Sequence, residues 1–162
     1  MVKSPETRPL DRIDRQILEI LQRQGRISNT DLARRVNLTA TPCQERVRRL
    51  EREGLIEGFG AQLNAERLGL PLLIFIQVRL EQTGFKVFED FAQTVRDLPE
   101  VMECHMVAGG FDFLLKLRVS DMGAYRHFMG ERLSLLPGVV QTHSHVVMEE
   151  IKNTWALPIE DA

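Results

Sequence analysis

Four arginines crowd one short amphipathic stretch of this chain: Arg46, Arg48, Arg49 and Arg52, within the run TPCQERVRRLEREG that ends at Gly54. A guanidinium donates two parallel hydrogen bonds to a phosphate or to the edge of a guanine, so arginines repeated along one helix suit nucleic acid. At about 100° per residue, Cys43, Val47 and Leu50 share one face, and Thr41, Glu45, Arg48 and Arg52 the opposite one. One face can pack while the other enters a groove. An arginine-rich helix taken alone is usually only a solvated face; the short helix and polar turn before it are what point to DNA.

A second group sits at Gly109-Gly110-Phe111-Asp112. Glycine lets a ligand approach backbone N–H groups closely, and Asp112 adds an anion beside them, so both ends of a zwitterion are served. The same residues also suit a plain hairpin turn fixed by Asp112. His143 and His145 lie two apart on an extended run, and Cys104 precedes His105, but no carboxylate or cysteine accompanies them at ligand spacing. A surface or interface role is expected for them, with no metal and no cofactor. No P-loop, nucleophile elbow or dinucleotide fingerprint appears, so the chain does not read as an enzyme. Cys43 and Cys104, far apart in apolar patterns, are expected to be buried free thiols.

The elements that must position these groups follow from periodicity. Asp11 is placed to cap a helix carrying Ile13, Ile17, Leu18 and Leu21, closed near Gly25. Ser28 caps a short second helix whose Leu32 and Val36 face inward, and Asn37-Leu38-Thr39-Ala40 makes the turn. The third helix opens at Thr41-Pro42-Cys43-Gln44, with a capping-box spacing and proline at its first position, and stops at Gly54. Three helices, the last studded with arginine, are the trihelical form of a helix-turn-helix. Leu55, Ile56, Phe59, Ala61 and Leu63, interrupted by Gly58 and Gly60, suggest short extended strands acting as a wing or linker.

Beyond residue 70 the order of elements is β-α-β-β-α-β. A strand runs from Leu72 to Leu80, a helix from Val87 to Leu98, and two strands, 101–107 and 111–119, are joined by Ala108-Gly109-Gly110. A helix capped by Asp121 then carries Tyr125, Phe128 and Leu133 to Pro137-Gly138, and a last strand covers 139–149. That order is ferredoxin-like, one sheet with both helices on one face. Leu73, Phe75 and Gln77 alternate with Ile74, Ile76 and Val78, so both faces of the first strand are largely apolar and the uncovered one should meet another subunit. A homodimer at least is expected. Its two-fold axis would present two recognition helices to a pseudo-palindromic site.

The fold class is therefore α+β: an N-terminal winged helix-turn-helix over 1–54, a strand or linker over 55–70, a ferredoxin-like domain over 71–150 and a tail over 151–162. Charge divides along the same line. Residues 1–64 hold twelve Lys+Arg against nine Asp+Glu, and 65–162 hold nine against fourteen, so the basic part is the partner for phosphate. No apolar run reaches the ~20 residues of a membrane span, and MVKSPETRPLD lacks the apolar core of a signal peptide. A cytoplasmic protein without a membrane partner is expected.

Taken together, LDRIDRQIL (10–18), GRISNTDLARRVNL (25–38), TPCQERVRRLEREGLIEGF (41–59), ECHMVAGGFDFLLKLRV (103–119) and LPGVVQTHSHVVMEE (136–150) resemble the Lrp/AsnC, or feast/famine, transcriptional regulators over nearly the whole chain. The resemblance implies double-stranded DNA as partner, a small amino acid as effector, and homodimers assembling into a larger ring, with an octamer the expected size. For DNA, Arg48, Arg49 and Arg52 are best placed for phosphate or guanine, and Thr41, Gln44 and Glu45 for base edges. Glu45 is equally suited to an ion pair with Arg48 or Arg49. Ser28, Asn29 and Thr39 are phosphate candidates whose more ordinary work is capping their own helices. For the effector, the resemblance places a pocket between dimers at Gly109, Gly110 and Asp112, at Met122 and Tyr125, and at His145, Val146 and Val147. Met106, Met122 and Val146 would wall an aliphatic side chain, which fits leucine or methionine. The competing expectation is an architectural protein that wraps DNA with little effector response.

Overall fold

The computed structural model describes residues 9–81 and 84–159. Its contacts divide the chain into two units, one reaching Gln62 and resuming at Lys152, the other Leu63–Ile151. In the first, α1 (Arg12–Arg23), α2 (Asn29–Arg35) and α3 (Ala40–Arg52) enclose a core of Ile17, Leu21, Leu32, Ala33, Val36, Cys43 and Leu50. Asp11 and Asp14 form a reciprocal capping box at the start of α1, the Asp14 N–H donating to Asp11 Oδ1 at 2.8 Å. Ser28 caps α2, its Oγ accepting from the Asp31 N–H at 3.1 Å.

The turn between α2 and α3 rests on Asn37, at φ 56° the only left-handed non-glycine among the described residues. The Leu38 N–H donates to the Ala33 carbonyl at 2.9 Å and the Asn37 N–H to Arg34 at 3.3 Å, which is the Schellman ending of a helix. Gly54, at φ 73°, ends α3 in the same way, with the Leu55 N–H on the Leu50 carbonyl at 2.9 Å. Asparagine tolerates this backbone, and a β-branched side chain does not. Asn37→Val should therefore cost this unit about 1–2 kcal/mol, with Asn37→Gly close to neutral. Urea unfolding followed by far-UV circular dichroism checks it; equal midpoints for valine and wild type would remove Asn37 from the account of the turn.

Several expectations are corrected here. α3 starts at Ala40, with Thr39 as its cap residue, so Pro42 is the third helical residue and not the first. The strands expected within 55–63 do not form: the segment is irregular, since among the described residues no second extended segment pairs with it. The tail from Lys152 belongs with the first unit. Gln22 on α1 donates from Nε2 to the Leu157 carbonyl at 3.0 Å and accepts the Leu157 N–H at 2.9 Å.

The second unit is the expected βαββαβ: β1 (Leu72–Leu80), α4 (Phe85–Arg96), β2 (Val101–Met106), β3 (Phe113–Val119), α5 (Met122–Glu131) and β4 (Val139–Val146). The sheet order is β2-β3-β1-β4 with antiparallel pairing throughout. Alternation puts Ile74, Ile76, Val78 and Leu80 on the helix side with Phe113, Leu115, Leu117 and Val119, beneath Phe91, Val95 and Phe128. Phe113 packs on Phe91 with ring centroids 4.5 Å apart. On the other face the register aligns Phe75 with Lys116 and His145, and Gln77 with Leu114 and His143. Both α4 and α5 pack on the first face. Cys43 is buried as expected; Cys104, on the edge strand β2, is exposed.

Candidate DNA interface and effector site

The helical periodicity of α3 sorts its arginines into two sets. Arg46 and Arg49 face α1, where Asp14 is the one charged side chain buried among the described residues, at 2% exposure. Arg46 reaches Asp14 Oδ1 at 2.8 Å and Asp11 Oδ2 at 2.5 Å, and Arg49 reaches Asp14 Oδ2 at 2.5 Å. Burial alone would raise the Asp11 carboxyl, but the Arg46 guanidinium and the Asp14 N–H hold it below its ordinary value. Arg49, expected at the DNA surface with Arg48 and Arg52, is thus committed within the protein. Arg48 and Arg52 are exposed and have no ion pair among the described residues.

The neighbouring polar residues separate as clearly. Ser28 is committed: besides capping, its hydroxyl donates to Asp31 Oδ2 at 2.7 Å. Thr39 is not, since it makes no side-chain cap bond. Pro42 at the third helical position has no N–H, which removes one of the two donors such a cap uses. The exposed Thr39 hydroxyl is left to bind elsewhere. Asn29 and Thr41 are exposed near the starts of α2 and α3, and Gln44 is half-buried. Glu45 is exposed and makes no ion pair with Arg48 or Arg49, which leaves its carboxylate free to accept from a base.

In the second unit a cleft of about 640 Å³ opens beside the β2–β3 hairpin, lined by Arg79, Leu80, Glu81, Gly109, Gly110, Phe111 and Asp112. Asp112 holds the loop: its N–H donates to the Val78 carbonyl at 2.9 Å and its Oδ2 accepts the Leu80 N–H at 2.8 Å. That second bond satisfies β1 where its pairing with β4 shifts register, between Arg79 and Leu80. The carboxylate therefore fixes a turn and also fronts the cleft. Arg79 and Glu81 were not read from the sequence as site residues, yet they place a cation and an anion there. They belong to the end of β1, and only the strand order brings them to this hairpin.

The remaining effector candidates lie elsewhere. Met106 is on β2 and Val146 on β4, at opposite edges of the sheet. Three strand spacings of about 4.8 Å separate them across the sheet, and their registers differ by four residues of β1, Met106 level with Val78 and Val146 level with Ile74. Within one chain they cannot wall one pocket. Val146 points to the helix side of the sheet near α5, where the Tyr125 hydroxyl donates to Ser144 Oγ at 2.6 Å. His145 points to the side away from the helices, opposite Phe75, and Val147, just past the strand, continues to donate its N–H to the Leu73 carbonyl at 2.9 Å. Met106, Met122 and Val146 are exposed, which leaves their apolar surface unpartnered.

His143 is hydrogen-bonded to Gln141 at 3.0 Å and His105 contacts Glu103 at 3.2 Å, which in turn accepts from Lys116 at 2.8 Å. Among the described residues, no group of three His, Cys, Asp or Glu could hold a metal ion, and no helix is long and apolar enough to cross a membrane.

Comparison with known proteins agrees with both units. Residues 10–57 match the winged helix-turn-helix DNA-binding family, and residues 73–157 the Lrp/AsnC ligand binding domain. The chain is 54% identical over 151 residues to the leucine-responsive regulatory proteins of Klebsiella pneumoniae and Escherichia coli strain K12, covering 93% of this chain and 92% of each of theirs. Among solved structures it is similar to a transcriptional regulator of Neisseria meningitidis in complex with L-Met, with TM-score 0.88, 39% identity, and 93% of this chain and 97% of that one covered. An AsnC family regulator from Agrobacterium tumefaciens gives TM-score 0.87 at 32% identity, covering 92% and 97%. An arginine-bearing recognition helix on one unit, and a ligand-binding sheet domain on the other, make this chain a DNA-binding transcriptional regulator of the Lrp/AsnC family.

Proposed function

We propose that this regulator senses leucine, or a similar aliphatic amino acid such as methionine, in a pocket completed only between copies of the chain. One observation carries the reading: the sheet order holds Met106 and the Gly109–Asp112 loop at one edge and Val146 at the other. Residues held at opposite edges of one protomer's sheet can converge when a second copy supplies the missing wall. Polar recognition then falls to the loop N–H groups with Arg79 for a carboxylate, and to Asp112 or Glu81 for an ammonium. Met106, Met122 and Val146, exposed in the single chain, supply the apolar wall.

The names of the relatives at 54% identity favour leucine, and the L-Met complex of the Neisseria regulator keeps methionine in view. The sheet face away from α4 and α5, where half-buried Phe75 and Leu114 lie, is the surface on which two copies pair in this reading. Dimers joined through shared pockets then close into a ring, an octamer in this reading, so effector binding and assembly are linked. Such a protein works where the DNA is, in the cytoplasm, and by binding rather than by turnover.

The deciding experiment titrates full-length protein onto a labelled duplex from upstream of its own gene, at one stated salt concentration, with and without millimolar leucine, and follows complex size by sedimentation. A change in affinity of about fivefold to a hundredfold, or a change in size, is the expected result. Tight binding that neither leucine nor methionine moves favours the architectural reading, in which the assembly domain only organises wrapped DNA.

A further inference from the structure

The four arginines of α3 would all be counted as DNA ligands from their charge alone. The structure divides them. Arg46 and Arg49, three residues apart, lie on the face of α3 that meets α1, with side chains 27% and 22% exposed. Both converge on the two oxygens of buried Asp14, and Arg46 also takes Asp11. Arg49 Nε is itself buried, with Glu53 at 3.8 Å, so this side of the guanidinium faces the protein. Arg48 and Arg52, four residues apart, lie on the other face and are exposed.

We propose that Asp14 is a positioning residue for DNA recognition: it withholds Arg46 and Arg49 from the nucleic acid, using them to seat α3 on α1, and leaves Arg48 and Arg52 as the α3 arginines that touch DNA. Phosphate attraction is blind to sequence. Two cations withdrawn from each recognition helix lower the affinity for any duplex while leaving base reading untouched, so the Asp14 cluster sets the strength of sequence-blind binding as well as the packing of α3. The same bonds tie α3 to α1 through two separate arginines, so each single replacement leaves the other tie in place. Asp11 couples the cluster to the cap of α1, because its carboxylate serves both the Asp14 N–H and Arg46.

The salt dependence of binding measures how many phosphates the protein neutralises. With a short single-site duplex, each phosphate left without its cationic partner should flatten the slope of log K against log salt by about one per bound protomer. Arg48→Gln is expected to flatten it, while Arg46→Gln and Arg49→Gln leave it at the wild-type value. Flattening in either of the latter variants overturns the proposal. Wild-type protein gives a test that does not depend on variants folding: footprinting with an arginine-selective dicarbonyl reagent, read by mass spectrometry with and without DNA. Arg48 and Arg52 should react freely and be protected by DNA, with Arg46 and Arg49 refractory in both states; DNA-dependent protection of Arg46 or Arg49 overturns it. In Asp14→Asn the two guanidiniums should become reactive and the salt slope steeper, a change that a purely structural Asp14 would not produce. Unchanged reactivity and slope in folded Asp14→Asn protein also count against it.

Discussion

Arg48→Ala is expected to weaken binding to a cognate duplex by roughly tenfold to a hundredfold, or about 1–3 kcal/mol, with fold and assembly unchanged. The side chain is exposed, lies opposite the buried Cys43 and Leu50, and has no partner among the described residues that truncation would orphan. Its removal therefore acts on the bound state and not on the free protein. Fluorescence anisotropy at two salt concentrations reads the loss, and circular dichroism with sedimentation confirms the fold. A loss spread evenly over unrelated duplexes assigns Arg48 to phosphate; a loss confined to one position of the site assigns it to a base. Unfolding of the variant would mean that Arg48 packs, contrary to its exposure.

Asp112 should carry the effector response. Asp112→Asn keeps an oxygen to accept the Leu80 N–H and loses only the charge. It is expected to abolish the leucine-dependent change in DNA affinity while effector-free binding stays at the wild-type level. Asp112→Ala should lose the response too, and in addition destabilise the sheet unit by about 1–3 kcal/mol, because the Leu80 N–H loses its acceptor at a point where the ladder is already irregular. Comparing the two separates recognition from turn-building. If Asp112→Asn still responds at unchanged leucine concentrations, the pocket lies elsewhere.

Local signals carried much of the architecture. Asp11, Ser28 and Asp121 each cap the helix that follows them, because a short acceptor before an apolar periodic run satisfies N–H groups that the helix cannot. The alternation of Leu72–Leu80 identified both faces of β1, and Gly54 ended α3 at the left-handed backbone glycine permits. What stayed hidden depends on which distant neighbour an element meets. Periodicity turned Arg46 away from Arg48 but could not supply Asp14, 35 residues upstream of Arg49. Cys104 has the residue type of a core position and sits on an edge strand; nothing local distinguishes edge from centre. The Gly109–Asp112 loop was legible from its own chemistry, whereas Met122, Tyr125, His145, Val146 and Val147 came from resemblance, and only the strand order shows that a single chain cannot unite Met106 with Val146. Arg79 and Glu81 escaped because each looks like an ordinary charged strand end until the β2–β3 hairpin is laid beside it.

The clasp between Gln22 and Leu157 joins residues 135 positions apart. The sensing unit is thus spliced into the middle of the DNA-binding one. On the ribosome the three helices are complete early, but this partner does not exist until residue 157 has been made. Closing that clasp at a cost set by loop entropy is easiest once the intervening sheet unit has folded and drawn its two ends into range. Until residue 157 has been made and has reached Gln22, α1 lacks one of its anchors.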